Sequence, residues 1–91
     1  MHKRAFVTYY GDVQGVGFRY TASDAARRLG VVGWVKNTPD GNVEMAAEGD
    51  EETLKRFLAE LRRQMNHVSF KEQTSWMPAT GEFKGFEIKY F

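Results

Sequence analysis

The sequence predicts an α+β fold in which two helices cover one face of an antiparallel sheet of four to five strands. Two segments repeat apolar residues with the period of an amphipathic helix. A pair of short alternating segments, joined by turn residues, lies between them, and further alternating segments open and close the chain. The 91 residues suffice for one core, so we expect a single domain spanning residues 1–91.

The first half of the chain predicts a strand, a helix and a hairpin. β-branched and aromatic residues alternate over residues 5–10, which predicts a strand although both of its faces are apolar. The helical pattern begins at Phe18 and ends at Gly30, a residue suited to the left-handed conformation that follows a helix. Residues 34–38 and 43–47 flank a turn rich in Pro, Asp and Gly, which predicts a hairpin.

The second half predicts a helix and two strands. Asp50 is a good N-cap for a helix whose apolar face consists of Leu54, Phe57, Leu58, Leu61 and Met65. Strands are expected at residues 68–76 and 86–90. The resulting order is strand–helix–strand–strand–helix–strand with one terminal strand. Two crossover units packed on one face of the sheet make this a ferredoxin-like sandwich.

The composition excludes several classes of site. The 13 Lys+Arg and 12 Asp+Glu residues leave a net charge of +1, so no global charge attracts nucleic acid or anionic lipid. The chain has no cysteine, which excludes disulfides, thiolate catalysis, zinc fingers and iron–sulfur clusters. No run approaches the roughly 20 apolar residues of a membrane span, and a signal-peptide pattern is absent. We therefore expect a cytoplasmic protein with no metal, no cofactor and no membrane association.

A glycine-rich segment connects the first strand to the first helix. It reads Gly-Asp-Val-Gln-Gly-Val-Gly-Phe-Arg over residues 11–19. Glycines permit backbone conformations that a Cβ hinders, so successive N–H groups can converge and continue into the unpaired N–H groups of the helix's first turn. Such a place favours a phosphate, and the Arg19 guanidinium can hold two phosphate oxygens. The alternative is a tight turn in which Arg19 pairs with a surface carboxylate.

Asn37 stands at the end of the short strand before the turn, although asparagine is uncommon in strands. Its amide can accept a hydrogen bond with one atom and donate with the other, which suits holding a water molecule. The alternative is a residue that flanks the hairpin and hydrogen-bonds its own turn. The two histidines, His2 and His67, lie outside both segments, and we interpret them as structural or solvated.

Residues 11–19, Gly-Trp-Val-Lys-Asn at 33–37 and Asp-Gly-Asn-Val-Glu at 40–44 resemble the two signature blocks of the acylphosphatases. The similarity extends over nearly the whole chain, although residues 64–67 differ from the Gly-Pro-containing link of many members. The resemblance implies hydrolysis of the carboxyl–phosphate mixed anhydride of acyl phosphates, giving a carboxylate and inorganic phosphate. It also implies that the reaction uses no metal and no covalent intermediate.

The resemblance further implies which residues act. In this family the loop and its arginine bind the phosphate, and the strand asparagine orients the attacking water. Arg19 and Asn37 are then the catalytic residues, and phosphate is bound by Gly15, Val16, Gly17, Phe18 and Arg19, with backbone N–H groups as the cradle. The expected partners are a small acyl phosphate and inorganic phosphate, the latter as product and inhibitor. We expect a free-standing monomer.

Two other functions are considered. The resemblance includes the N-terminal domain of hydrogenase-maturation carbamoyltransferases, so a non-catalytic module that binds phosphate or carbamoyl phosphate is one alternative. An RNA-binding domain is the other, because ferredoxin-like sheets also bind RNA through exposed aromatic residues. Lys84-Gly85-Phe86 resembles the start of an RNA-binding motif but lies on the last strand instead of the strand before the second helix. We therefore expect no nucleic-acid partner.

Overall fold

The computed structural model of the protein describes residues 1–90. Its strands form one five-stranded sheet in the order β4-β1-β3-β2-β5. The elements in chain order are β1 (His2–Gly11), α1 (Phe18–Leu29), β2 (Val32–Asn37), β3 (Val43–Asp50), α2 (Glu51–Gln64), β4 (Phe70–Pro78) and β5 (Phe86–Lys89). The element order and the packing of both helices against the buried face of the sheet confirm the predicted ferredoxin-like sandwich.

One pairing differs from the antiparallel sheet that the sequence predicts. β1 pairs antiparallel with β3 and β4, and β3 pairs antiparallel with β2, but β5 pairs parallel with β2. β4 ends beside Lys3, at the end of the sheet where β2 begins. The link of residues 79–85 crosses that end of the sheet, and the Gly33 N–H donates to Gly85 O at 2.9 Å. β5 therefore starts beside the start of β2 and has to run in the same direction.

The buried face of the sheet is decided by the helices. Ala5, Val7 and Tyr9 of β1 are fully buried and join one core with the neighbouring strands and with both helices. The alternate residues Phe6 and Thr8 lie on the open face and are half-buried. Because both faces of this strand are apolar, its pattern alone does not predict which face packs against the helices.

The ends of the helices follow the predicted caps. Gly30 adopts the left-handed conformation with φ 75° and donates its N–H to Arg27 O, which ends α1 as expected. The Asp50 carboxylate accepts a hydrogen bond from the Glu52 N–H at 3.2 Å, which confirms Asp50 as the N-cap of α2.

β4 begins two residues later than predicted, because the chain first makes a turn after α2. Val68 N–H donates to Met65 O at 3.0 Å, and Asp12 N–H donates to Ser69 O at 3.0 Å. The strand itself starts where Phe70 pairs with Gly11. A Cβ on Gly11 would approach Ser69 O to 2.6 Å, so this position needs glycine.

A buried carboxylate holds the link of residues 79–85 against the sheet. Glu48 is 2% exposed and accepts hydrogen bonds from Arg4 at 2.8 Å, from the Thr80 N–H at 2.9 Å and from the Gly81 N–H at 3.0 Å. Burial by itself raises the pKa of Glu48, but these donors outweigh it and lower the pKa to about 2. The carboxylate therefore stabilises the fold only when it is ionised.

Glu48→Gln should lower the free energy of unfolding at neutral pH by about 1.5–3 kcal/mol, the usual worth of hydrogen bonds to a charged group. The folded-state pKa of Glu48 is depressed from its ordinary value of 4.5. Its contribution is therefore complete above about pH 4.5 and is lost as the pH falls towards about 2. Urea unfolding of the wild type and the variant as a function of pH measures this difference, which should shrink in acid.

Glu82→Gln is the matched control, because Glu82 pairs with the same Arg4 but its side chain is 58% exposed. It should cost about 0–1 kcal/mol. A Glu48→Gln destabilisation that is the same at acid and neutral pH would contradict the role of the ionised carboxylate.

Candidate active site

The sheet brings the ends of β1 and β2 to one edge. Val43, the first residue of β3, pairs with Tyr9 of β1 and with Asn37 of β2. Because β3 is antiparallel to both neighbours, β1 and β2 point the same way, and both chains leave the sheet at this edge. The glycine-rich loop that follows β1 and the asparagine that ends β2 therefore lie at the same edge of the sheet.

The loop after β1 turns into α1 through two glycines. Gly15 and Gly17 have φ of 75° and 78°, in the left-handed region that side chains disfavour. A Cβ at either residue would have no atom within 4 Å, so the backbone conformation, not space, requires glycine there. Val13 is 1% exposed and fixes the base of the loop in the core.

The N–H groups of this loop have no internal partners. The flanking N–H groups are bonded: Val13 N–H donates to Gly11 O at 2.9 Å and Thr21 N–H donates to Gly17 O at 3.0 Å. Between them, the N–H groups of residues 14–20 donate to no oxygen of residues 1–90. Gly17 is the N-cap of α1 and supplies no side-chain oxygen, and the first turn of the helix has no acidic residue. These donors and the positive end of the helix suit an anion. We call residues 15–19 the cradle loop.

Aromatic packing fixes the direction of the cradle loop. Phe18 is 1% exposed, and its ring lies 4.6 Å from the ring of Tyr9 and 5.7 Å from that of Phe70, measured between centroids. Phe18 therefore anchors the first residue of α1 in the core. Its neighbour Arg19 is left half-buried at the surface of the same turn.

Arg19 contacts an aromatic ring. Its guanidinium carbon lies 5.1 Å from the centroid of the Tyr90 ring. A hydrogen bond with Tyr20 raises the pKa of the Tyr90 phenol. Among the ion pairs of residues 1–90 none involves Arg19, so the surface carboxylate of the alternative interpretation is not found there. The sequence pattern does not indicate Tyr20 or Tyr90 as part of this site, because only the fold brings the end of β5 close to α1.

Asn37 presents a buried oxygen without a partner. Its Oδ1 atom is almost completely buried and accepts no hydrogen bond within residues 1–90. Such an atom is costly unless water or a ligand satisfies it. The only other buried side-chain atom of this kind in that range is the Tyr9 hydroxyl, which lies in the aromatic core, where burial raises the pKa of the phenol.

The hairpin turn is held by Thr38. The Thr38 N–H donates to Asn42 O at 2.9 Å, and Gly41 N–H donates to Thr38 O at 3.1 Å. The Thr38 hydroxyl donates to Asp40 and accepts from the Asn42 N–H. The hydrogen bonds that the alternative interpretation gave to the Asn37 side chain are thus made by the next residue.

Gln14 connects the loop to the hairpin. Its Nε2 atom donates to Thr38 O and to Asn42 O, each at 2.8 Å. The sequence pattern indicates Gln14 only by its place between the glycines of the loop. Nothing in the residue spacing predicts that its side chain contacts residues 24 and 28 positions away.

In residues 1–90 no three His, Cys, Asp or Glu side chains cluster in the way that a metal ion requires. No helix in the same range has the length and apolar composition needed to cross a membrane.

Comparison with known proteins identifies the family of the chain. The family model described as acylphosphatase matches residues 5–88. An acylphosphatase of Methylococcus capsulatus is 42% identical, over 94% of this chain and 95% of that protein. The crystal structure of acylphosphatase from Bacillus subtilis superimposes with a TM-score of 0.89 and 31% identity, covering 97% of this chain and 99% of that one.

HypF of T. kodakarensis contains a similar region, with a TM-score of 0.81 and 28% identity over 96% of this chain but only 12% of HypF. The acylphosphatases of Methylococcus capsulatus and Bacillus subtilis, in contrast, match over 95% and 99% of their own length. The chain belongs to the acylphosphatase family of enzymes, which hydrolyse acyl phosphates.

Proposed function

We propose that the cradle loop and Arg19 hold the phosphate of a small acyl phosphate while Asn37 positions the water that attacks it. The observation that carries this proposal is the buried, unpartnered Oδ1 of Asn37 at the sheet edge where the free N–H groups of residues 14–20 also lie. One group can hold a water and the others an anion. Both are needed for hydrolysis of a phosphate anhydride.

The phosphate is held by donors that are already in place. Two left-handed glycines allow successive N–H groups to turn towards one position, and the N-terminus of α1 adds its dipole. Arg19 adds a planar guanidinium that can donate two parallel hydrogen bonds to phosphate oxygens. Such preorganised donors stabilise charge that spreads over the phosphoryl oxygens in the transition state.

The water is held by Asn37. Its Oδ1 atom can accept a hydrogen bond from the water, and this bond directs the water oxygen towards the phosphorus. The new bond joins the water oxygen to phosphorus, and the bond from phosphorus to the acyl oxygen breaks. The carboxylate leaves with the electron pair of that bond, and the proton of the water passes to the phosphate. A carboxylate is a good leaving group, so no side-chain acid is required, and a phosphate oxygen of the substrate can serve as the base.

The direct test is a hydrolysis assay on acetyl phosphate, with a phosphate monoester as the control substrate. We expect turnover of the anhydride only.

Inorganic phosphate should inhibit competitively because the cradle loop recognises the tetrahedral anion, and a chelator should leave the rate unchanged. Inhibition that is not competitive would contradict the cradle. Phosphate binding without turnover would instead indicate the binding-module alternative.

Arg19→Lys should reduce kcat/KM by about 10²–10³, because lysine keeps the charge but loses the two-pronged geometry. Phosphate affinity should fall as well, since Arg19 contacts the anion in the ground state. Steady-state kinetics and phosphate titration measure both effects. Arg56→Lys, at an exposed position of α2, is the matched control and should change neither quantity. Near-normal kinetics of a folded Arg19→Lys protein would remove Arg19 from the mechanism.

Asn37→Ala should lower kcat by about 10²-fold or more, while phosphate still binds to the loop and Arg19. The melting temperature of the Asn37→Ala protein should not fall below that of the wild type, because the Oδ1 atom makes no hydrogen bond that the variant would lose. The loss of one net hydrogen bond, about 1 kcal/mol, would instead lower the melting temperature by about 4–8 °C. Asn66→Ala, at an exposed residue after α2, is the control. Intact kcat with a lowered melting temperature would show that Asn37 serves the hairpin.

Several expectations from the sequence stay proposals. We propose that residues 1–91 form one domain, that the protein is a cytoplasmic monomer, and that it has no nucleic-acid or membrane partner. Metal independence is tested by the chelator arm of the assay. Size-exclusion chromatography with light scattering tests the monomer.

A further inference from the structure

The two parts of the proposed site extend from strands that are not neighbours. β3 lies between β1 and β2, so the loop after β1 and Asn37 at the end of β2 start about 10 Å apart, two strand spacings. Sheet hydrogen bonds fix the strands but end at this edge. Something beyond the sheet therefore has to set the distance between the cradle loop and the Asn37 amide.

Gln14 is the side chain that makes this connection. Both hydrogens of its amide are used, one on Thr38 O and one on Asn42 O, each with a donor–acceptor distance of 2.8 Å. Within residues 1–90 these are the only hydrogen bonds between residues 12–19 and residues 37–42. Gln14 directly precedes the cradle loop, and Thr38 directly follows Asn37. One planar amide thus joins the phosphate-binding part of the site to the water-binding part.

The turn on the other side of this connection is complete without Gln14. Thr38 O also accepts from the Gly41 N–H, and Asn42 O also accepts from the Thr38 N–H. Removal of the Gln14 donors therefore leaves both carbonyl oxygens with a partner and leaves the turn closed. The lost interaction is the one between the loop and the hairpin. The substitution should therefore change the distance between these two segments while the free energy of unfolding changes little.

We propose that Gln14 is a positioning residue for hydrolysis, which sets the Asn37-bound water in line with the phosphate held by the cradle loop. The inference rests on the proposed roles of Asn37 and the loop. The Gln14 side chain touches neither water nor phosphate in this assignment and acts through Asn37. A displacement of about 1 Å between reacting groups is enough to cost about 10²-fold in rate.

Gln14→Met tests the proposal, because methionine keeps the length and apolar stem of the side chain but has no donor. We expect kcat to fall about 10–100-fold, while the dissociation constant of inorganic phosphate changes less than about threefold, since the loop and Arg19 remain. Gln73→Met, at an exposed glutamine of β4, is the matched control and should match the wild type. Unchanged kcat in Gln14→Met, or an equal loss of phosphate affinity, would overturn the positioning role.

The double variant Gln14→Met/Asn37→Ala separates this proposal from the proposed function. If Gln14 acts through Asn37, its substitution should cost little further rate once Asn37 is alanine. Independent, multiplicative losses would overturn the inference about Gln14 and leave Asn37 in its role. Unchanged kcat in Asn37→Ala alone would contradict the proposed function itself.

Gln14→Glu gives a second measurement in case the methionine variant does not fold. At neutral pH its carboxylate cannot donate and faces two carbonyl oxygens, whereas the protonated acid regains one donor. Relative to the wild type, kcat should therefore recover as the pH falls below about 4.5, the ordinary pKa of glutamate. A ratio of the two kcat values that does not depend on pH would overturn the proposal.

Discussion

The antiparallel pairing of β3 with both β1 and β2 is the constraint on which the rest of this site depends. It makes β1 and β2 run in the same direction, and the shared partner Val43 places Tyr9 and Asn37 at the same level of the sheet. Both chains therefore leave the sheet at one edge, where α1 also has to begin. The site thus depends on strand register, and a slip of one residue in the β2–β3 pairing would turn Asn37 to the other face.

The proposed reaction is assigned to hydrogen-bonding groups and to no side-chain acid or base. These groups are backbone N–H groups, a guanidinium and two carboxamides. What controls such a site is conformation: the left-handed glycines, the Phe18 anchor and the Gln14 connection. The titratable carboxylate with the clear structural role, Glu48, lies at the opposite end of the sheet. Acid acts there on the stability of the fold, far from the proposed chemistry.

Much of this arrangement could be predicted from the sequence because it depends on local signals. Glycine after a helix, an aspartate N-cap and alternating strands all report short-range preferences, and the structure confirms them. The rest depends on contacts between distant segments. The parallel direction of β5 is set by the path of residues 79–85 past Glu48, and the buried face of β1 is chosen by the helices. The reach of Gln14 to the hairpin carbonyls has no counterpart in periodicity, so the pattern cannot reveal it.

The sheet order also has a consequence for the growing chain on the ribosome. Both outer strands, β4 and β5, come from the last third of the sequence, whereas the three inner strands and both helices are complete by residue 64. A nascent chain at that length holds β1, β3 and β2 with an unpaired edge on each side. β4 closes one edge and β5 the other, in that order of synthesis. Intermolecular strand pairing is most accessible before β4 forms, when both edges are open, because exposed edges accept strands from other chains.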